Sequence, residues 1–263
     1  MKSFAAALLG LAAVTGAAMA QTPPANLSLE VTFNVFARGM NAGDFSYRFS
    51  QTGQAYEASA TREMKGLIGA ALNRSQDYTY SVRGAVAADG SLQPSAYQHQ
   101  GGRRRADRPN GRLVRATFTA NDVETIAIPA MGMGDPRATP AQRRGVIDQV
   151  TAIAAMAVAS GDPCTRTMRV YMDGRSRFDF VFIPNGRVNV NTRAYRGEAL
   201  RCSVQFRPIA GFGDPQEPAT LTFLFAQTPS GIYAPVTIEM PTDGAGIVRL
   251  EARWLAINGT PLR

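Results

Sequence analysis

Chemistry in this chain of 263 residues has to come from few residue types. There is one histidine, His99, and there are two cysteines, Cys164 and Cys202. A histidine-based zinc site needs partners that one imidazole does not have, and two cysteines cannot build a structural cysteine cluster. Neither a metal nor a cofactor is expected. Two cysteines in an exported chain read instead as a disulfide. Arg175, Arg177, Asp179, Arg201 and Arg207 are the charges nearest to them on predicted strands. Paired arginines there can hold an anionic group. The plainer alternative is cross-strand Arg–Asp pairing on a wet sheet face, each pair contributing less than about 1 kcal/mol. Arg175, Arg177, Asp179 and Arg207 are the candidate polar contacts.

Other reactive groupings are thinner. GGRRRADRPNGR, Gly101 to Arg112, reads as an anion-binding finger through Arg103, Arg104 and Arg105, or as a solvated hairpin loop; its Gly-Gly and Pro-Asn-Gly are ordinary turn chemistry. Met131 and Met133 are soft donors for Cu(I), but no third ligand accompanies them. Paired carboxylates can do acid–base work without histidine. Asp173, Asp179, Glu198 and Glu217, however, have no catalytic spacing, and there is no Gly-x-Ser-x-Gly elbow. No catalytic residue is assigned, and a non-enzyme is expected.

The elements that would position these groups begin after an address. Lys2, the apolar run Phe4 to Ala17 and Ala18-Met19-Ala20 have the order of a cleaved signal peptide over residues 1–20. The run is short of the roughly 20 apolar residues of a spanning helix, and no later stretch is apolar enough to span a membrane as a helix. A flexible leader, 21–26, and one β-rich domain, 27–263, follow. Formal charge is +8, but the lysines are only Lys2 and Lys65, and the arginines are scattered along strands instead of gathered in a block. Nucleic acid is therefore not the expected partner.

Leu27, Leu29, Val31, Phe33 and Val35 alternate as in a half-buried strand, and Phe45, Tyr47 and Phe49 alternate after the Gly39–Gly43 turn. About a dozen such segments follow at the 8–12-residue spacing of a sandwich or barrel. Residues 64–72 (MKGLIGAAL) read as a short helix, a lid or a core plug. Thr139, Pro140 and Gln142 open a helix near 140–159 with a capping box, and Gly145 can split it. Asp173-Gly174 marks a hairpin, and a turn separates Phe182 from the return strand at Val188. Pro235 argues for an edge strand or a bulge, and Trp254 reads as core. The fold class is mainly β: a large, antiparallel, strongly curved sheet, open barrel or sandwich, with one central helix packed on it.

VYMDGRSRFDF and AYRGEALRCSVQFRPIAGF, with GSLQPSAY at Gly90–Tyr97, resemble exported proteobacterial proteins of domain-of-unknown-function family 3108. The resemblance implies a periplasmic, mainly antiparallel β domain without assigned catalytic residues. The expected role is a periplasmic non-enzymatic binding or envelope-maintenance protein, with a hydrophobic or lipid-like ligand in a β cavity. The alternatives are a hydrolase acting on an envelope component through paired carboxylates and an outer-membrane β-barrel.

Overall fold

A computed structural model describes residues 26–65, 77–102, 111–158, 161–228, 230–242 and 246–262. The expectations for the leader, for Arg103–Arg105 and for nearly all of the 64–72 stretch lie outside the described residues. The described residues open with seven strands: β1 (Asn26–Ala37), β2 (Met40–Thr52), β3 (Ala55–Met64), β4 (Tyr78–Val86), β5 (Leu92–Gly101), β6 (Arg112–Phe118) and β7 (Val123–Ile128). A two-residue strand, β8 (Ile147–Asp148), leads into the helix α1 (Gln149–Val158). The second series is β9 (Thr167–Met172), β10 (Ser176–Asn191), β11 (Arg196–Ala210), β12 (Ala219–Gln227), β13 (Tyr233–Thr242) and β14 (Gly246–Ile257), closed by the short β15 (Thr260–Pro261).

All of them belong to one strongly curved, non-closed sheet, as the alternating patterns lead one to expect. Its spatial order is β7-β6-β5-β4-β3-β2-β1-β14-β13-β12-β11-β10-β9-β8, with β15 on β14. Two meanders thus run outward from a central seam where β1 meets β14. Every pairing is antiparallel except β8 with β9. The inward residues of β1, Leu27, Leu29, Val31 and Phe33, are all buried, as the period of two requires.

The helix departs from expectation in length. Thr139 and Gln142 do form a capping box, but it closes only a single 3-10 turn, Pro140–Arg143. Gly145 then takes φ +62°, a left-handed conformation cheap only for glycine, and breaks the run. The helix proper begins at Gln149 and lies on the concave side, between the two wings of the sheet. Val150, Ala154, Ala157 and Val158 join the core of the first wing and the seam. Ala152 and Met156 pack into the second wing with Phe178, Phe182, Phe223 and Phe225. Its alanines let it approach the sheet closely on both sides.

Three other expectations change. Residues 183–187 are not a turn: β10 runs through them with a register shift between Pro184 and Arg187, and the chain reverses only after Asn191. Pro235 sits in β13, an interior strand, where a register shift opposite Phe225 accommodates it; the bulge reading holds and the edge reading does not. Trp254 is not core. Thr32 faces Trp254 while Phe33 faces Ala252, so Arg253 is the extra residue of a bulge. That bulge turns the indole to the outer face, where it is 46% exposed.

Cys164 and Cys202 form the expected disulfide, with Cα atoms 5.2 Å apart and a sequence separation of 38. Cys164 lies in a short turn held by Asp162, whose carboxylate accepts its N–H at 2.7 Å, and Cys202 is inside β11. The bridge ties the exit of α1 to the second wing.

Two outcomes follow. Oxidised protein should show no free thiol before reduction, and reduction should lower unfolding free energy in a denaturant titration by up to about 4 kcal/mol, the chain-entropy value for a loop of this size. Trp254 fluorescence in the native protein should be strongly quenched by iodide; emission inaccessible to iodide would contradict the bulge geometry.

Candidate functional site

A network of buried polar groups surrounds the N-terminus of α1. Asp148 is fully buried at its N-terminus. Its Oδ1 accepts the N–H groups of Val150 (2.8 Å) and Thr151 (2.9 Å), and its Oδ2 accepts the Thr151 hydroxyl at 2.5 Å. Since the Thr151 proton goes to Asp148, Tyr56 must donate its own to Thr151 Oγ1, 2.8 Å away. Tyr47 donates to the Val150 carbonyl at 3.1 Å. At the other end, the Arg166 guanidinium donates to the carbonyls of Ala155 (2.6 Å) and Met156 (3.4 Å). An anion at the N-terminus and a cation at the C-terminus both complement the helix dipole. Burial raises the Asp148 carboxyl above its ordinary value of 3.8, and the three donors pull the other way.

The network continues to the sole histidine. Gln149 Nε2 donates to the Tyr97 hydroxyl at 2.9 Å, and that hydroxyl lies 3.1 Å from His99 Nδ1. With no other acceptor on Tyr97 among the described residues, its proton points to Nδ1. A neutral His99 therefore carries its hydrogen on Nε2. The ring is packed against Tyr78, Tyr80 and Tyr97, with centroids 6.3, 5.9 and 5.7 Å away. Burial, and secondarily the charge of Arg112, pushes the imidazole pKa down to about 4, so it is neutral at ordinary pH.

His99 borders a cavity of about 250 Å³ where the two wings meet. From the first wing come Tyr78, His99, Gly101, Gly102, Arg112 and Val114; from the second come Asp173 and Arg175. The β9–β10 turn reaches this point because Asp173 and Gly174 take φ +54° and +77°, the left-handed pair of a tight hairpin. A Cβ on Gly174 would lie 2.5 Å from Thr125 and 3.0 Å from Val114, so only glycine lets the turn come this close. Asp173 closes the turn by accepting from Ser176 N (3.0 Å), Ser176 Oγ (3.2 Å) and Arg175 Nε (3.5 Å).

A larger groove of about 700 Å³ lies on the outer face of the first wing. The strand registers align its side chains in two rows. One is Ser28, Ser50, Glu57, Arg83, Ala96 and Thr117; the next is Glu30, Arg48, Ser59, Ser81, Gln98 and Arg115. Small hydroxyl side chains make the floor, and arginines and glutamates make the rim.

The four expected polar contacts do not converge. Arg175 borders the small cavity. Arg177 is buried, donates to the Gln142 carbonyl at 3.2 Å and to the Phe178 carbonyl, and pairs with Asp179 at 2.6 Å. Asp179 also sits in register between Arg169 and Arg207 on the neighbouring strands. Arg207 itself is exposed and bonds to Gln205 at 3.1 Å. Asp179 and Arg207 face one another in register, as cross-strand pairing requires, but the ion pair Asp179 makes is with Arg177 of its own strand. Asp148, His99 and Arg112 were not singled out as site residues. An aspartate before an apolar helical run is a cap signal, whereas nothing local places His99 beside the β9–β10 turn.

With that geometry in view, comparison with known proteins identifies the chain as a member of a family described as protein of unknown function, domain-of-unknown-function family 3108, whose model matches residues 29–253. No curated protein and no solved structure matches it.

The raised Asp148 carboxyl has a sign that can be tested. The native state takes up its proton at higher pH than the unfolded chain, so this group's contribution to stability is fullest below about 3.8 and declines as pH rises through the folded value. Asp148→Asn keeps an oxygen for the two backbone donors but sets an amide donor against the Thr151 hydroxyl; it should flatten that part of the stability–pH curve and destabilise less than alanine does. Asp148→Ala strips two backbone donors and one hydroxyl of their acceptor and should cost about 1–3 kcal/mol. Urea titrations across pH 3–7 check both.

Proposed function

We propose that this family member is an exported, non-enzymatic binding protein of the periplasm, whose ligand lies in the outer groove of the first wing. The observation that carries the reading is the groove itself. At about 700 Å³ it is the size of a small-molecule site, and its small-residue floor leaves space between charged rims. Export is supported by the buried disulfide, which belongs to an oxidising compartment, and by the order of residues 1–20. Among the described residues no helix is long and apolar enough to cross a membrane.

The chemistry of the lining selects the ligand class. Hydroxyls of Ser50, Ser59 and Ser81 and the guanidiniums of Arg48, Arg83 and Arg115 favour a polar, hydroxyl- or phosphate-bearing envelope component, such as a glycan or a lipid headgroup. A purely hydrophobic or lipid-like ligand in the concave interior would have to share its space with α1. A role in envelope maintenance is consistent with such a ligand. Neither alternative gains support. Of the two described acids raised by burial, Asp148 is spent capping α1 and Asp173 is bonded within its own turn, so neither is left as the free acid of a hydrolase pair. A membrane-spanning barrel must close and turn apolar side chains outward, while this sheet is open and carries serines, arginines and glutamates in rows on the outer face of its first wing.

Native mass spectrometry of protein gently purified from the periplasm tests the reading. The expected result is a chain starting at Gln21 with a polar envelope component bound, and loss of that ligand in Ser81→Trp, whose exposed side chain fills the floor without touching the core. Protein that is consistently empty, or a ligand retained by Ser81→Trp, would count against the groove.

A further inference from the structure

The small cavity between the wings has a composition that neither wing's packing explains. His99 is only 7% exposed, and its Nδ1 is taken by Tyr97. Its Nε2–H has no hydrogen-bond partner among the described residues. The ring lines the cavity, so this is the donor turned toward it. Arg112 lines the same cavity, and its Nε is buried with no hydrogen-bond partner among the described residues. Arg175 enters from the opposite wing, held by Asp173 through its Nε. Two arginines and one histidine therefore border about 250 Å³, against a single carboxylate already bonded to the serine and the arginine of its own turn.

We infer that this junction cavity is a binding site for a compact oxyanion of phosphate or carboxylate size, received by His99 Nε2–H, Arg112 and Arg175. Donors without acceptors and an excess of positive charge in a partly desolvated pocket are what such an anion satisfies. A neutral histidine suits the role: it donates without adding a third repelling cation to two arginines. The volume excludes a large ligand and admits a free ion or the anionic end of a small molecule. Because the donors come from both wings, the bound anion would bridge the two ends of the open sheet at the place where the β9–β10 turn meets β5 and β6. The site is separate from the outer groove and stands or falls independently of it.

His99 is the only histidine, so its imidazole signals need no assignment. The test follows them by ¹H–¹⁵N NMR on the full mature chain at neutral pH, titrating inorganic phosphate and, separately, acetate, with sodium chloride holding ionic strength constant. The expected result is a saturable shift of the Nε2 resonance with at least one of the two anions, accompanied by a rise in thermal midpoint. Arg112→Gln, in which the lost group is only partly buried, should keep the native near-ultraviolet spectrum and weaken the apparent affinity about tenfold or more. Arg175→Gln should weaken it comparably from the other wing. Shifts linear in concentration and equal to those of chloride would overturn the assignment, as would saturable binding that both variants leave unchanged.

Discussion

A strongly curved sheet has a concave side that must be filled, and here the filling is a ten-residue helix. Everything else is arranged to keep that helix in place. Its flanks are small and apolar, so both wings can close on it. Its ends carry the unsatisfied backbone groups of any helix, and inside a core these would be costly. Asp148 satisfies donors at one end and Arg166 acceptors at the other, so a buried and a half-buried side chain replace water there. Tyr47 and Tyr56 then tie this end to β2 and β3 through their hydroxyls. The sheet's curvature and the helix's burial are therefore one constraint: neither is stable without the other.

The open edges are handled differently. β7 and β8 end the sheet and do not pair with one another, yet the chain between them and the β9–β10 turn bring them together by side-chain and isolated backbone contacts. Arg143 pairs with Asp122 at 2.7 Å, and the Ala138 N–H reaches the Arg175 carbonyl at 2.9 Å. Gly174 packs its turn on Val114 and Thr125. This closure has no ladder of its own, which leaves room for a polar cavity at the joint.

Much of the architecture was legible in the sequence because it is local. Period-two alternation marked the strands, Asp173-Gly174 marked its hairpin, and a lone pair of cysteines marked the bridge. Errors arose where two local signals competed. Pro184 to Gly186 has turn composition, but the apolar alternation resumes beyond it, and the strand absorbs the segment as a bulge. The Thr139 capping box is real and still loses to Gly145, so the helix starts instead at the stronger cap, Asp148. Trp254 leaves the face its alternation predicts because one inserted residue, Arg253, changes the face that follows. The small cavity was illegible for a deeper reason. His99, Arg112 and Arg175 are brought together by the curvature of the whole sheet, which no window of sequence contains.

The seam between β1 and β14 joins the earliest strand of the domain to its last long one. In a chain that is made from its N-terminus, the first wing can assemble while β1 is still a bare edge, with its row of N–H and C=O groups open to any passing strand. Only when the final segment arrives does that edge become the middle of the sheet. Folding of this kind is dominated by contacts distant in sequence and is intrinsically slow. The interval before the seam is sealed is thus the time when this edge is open to strand addition from outside the chain.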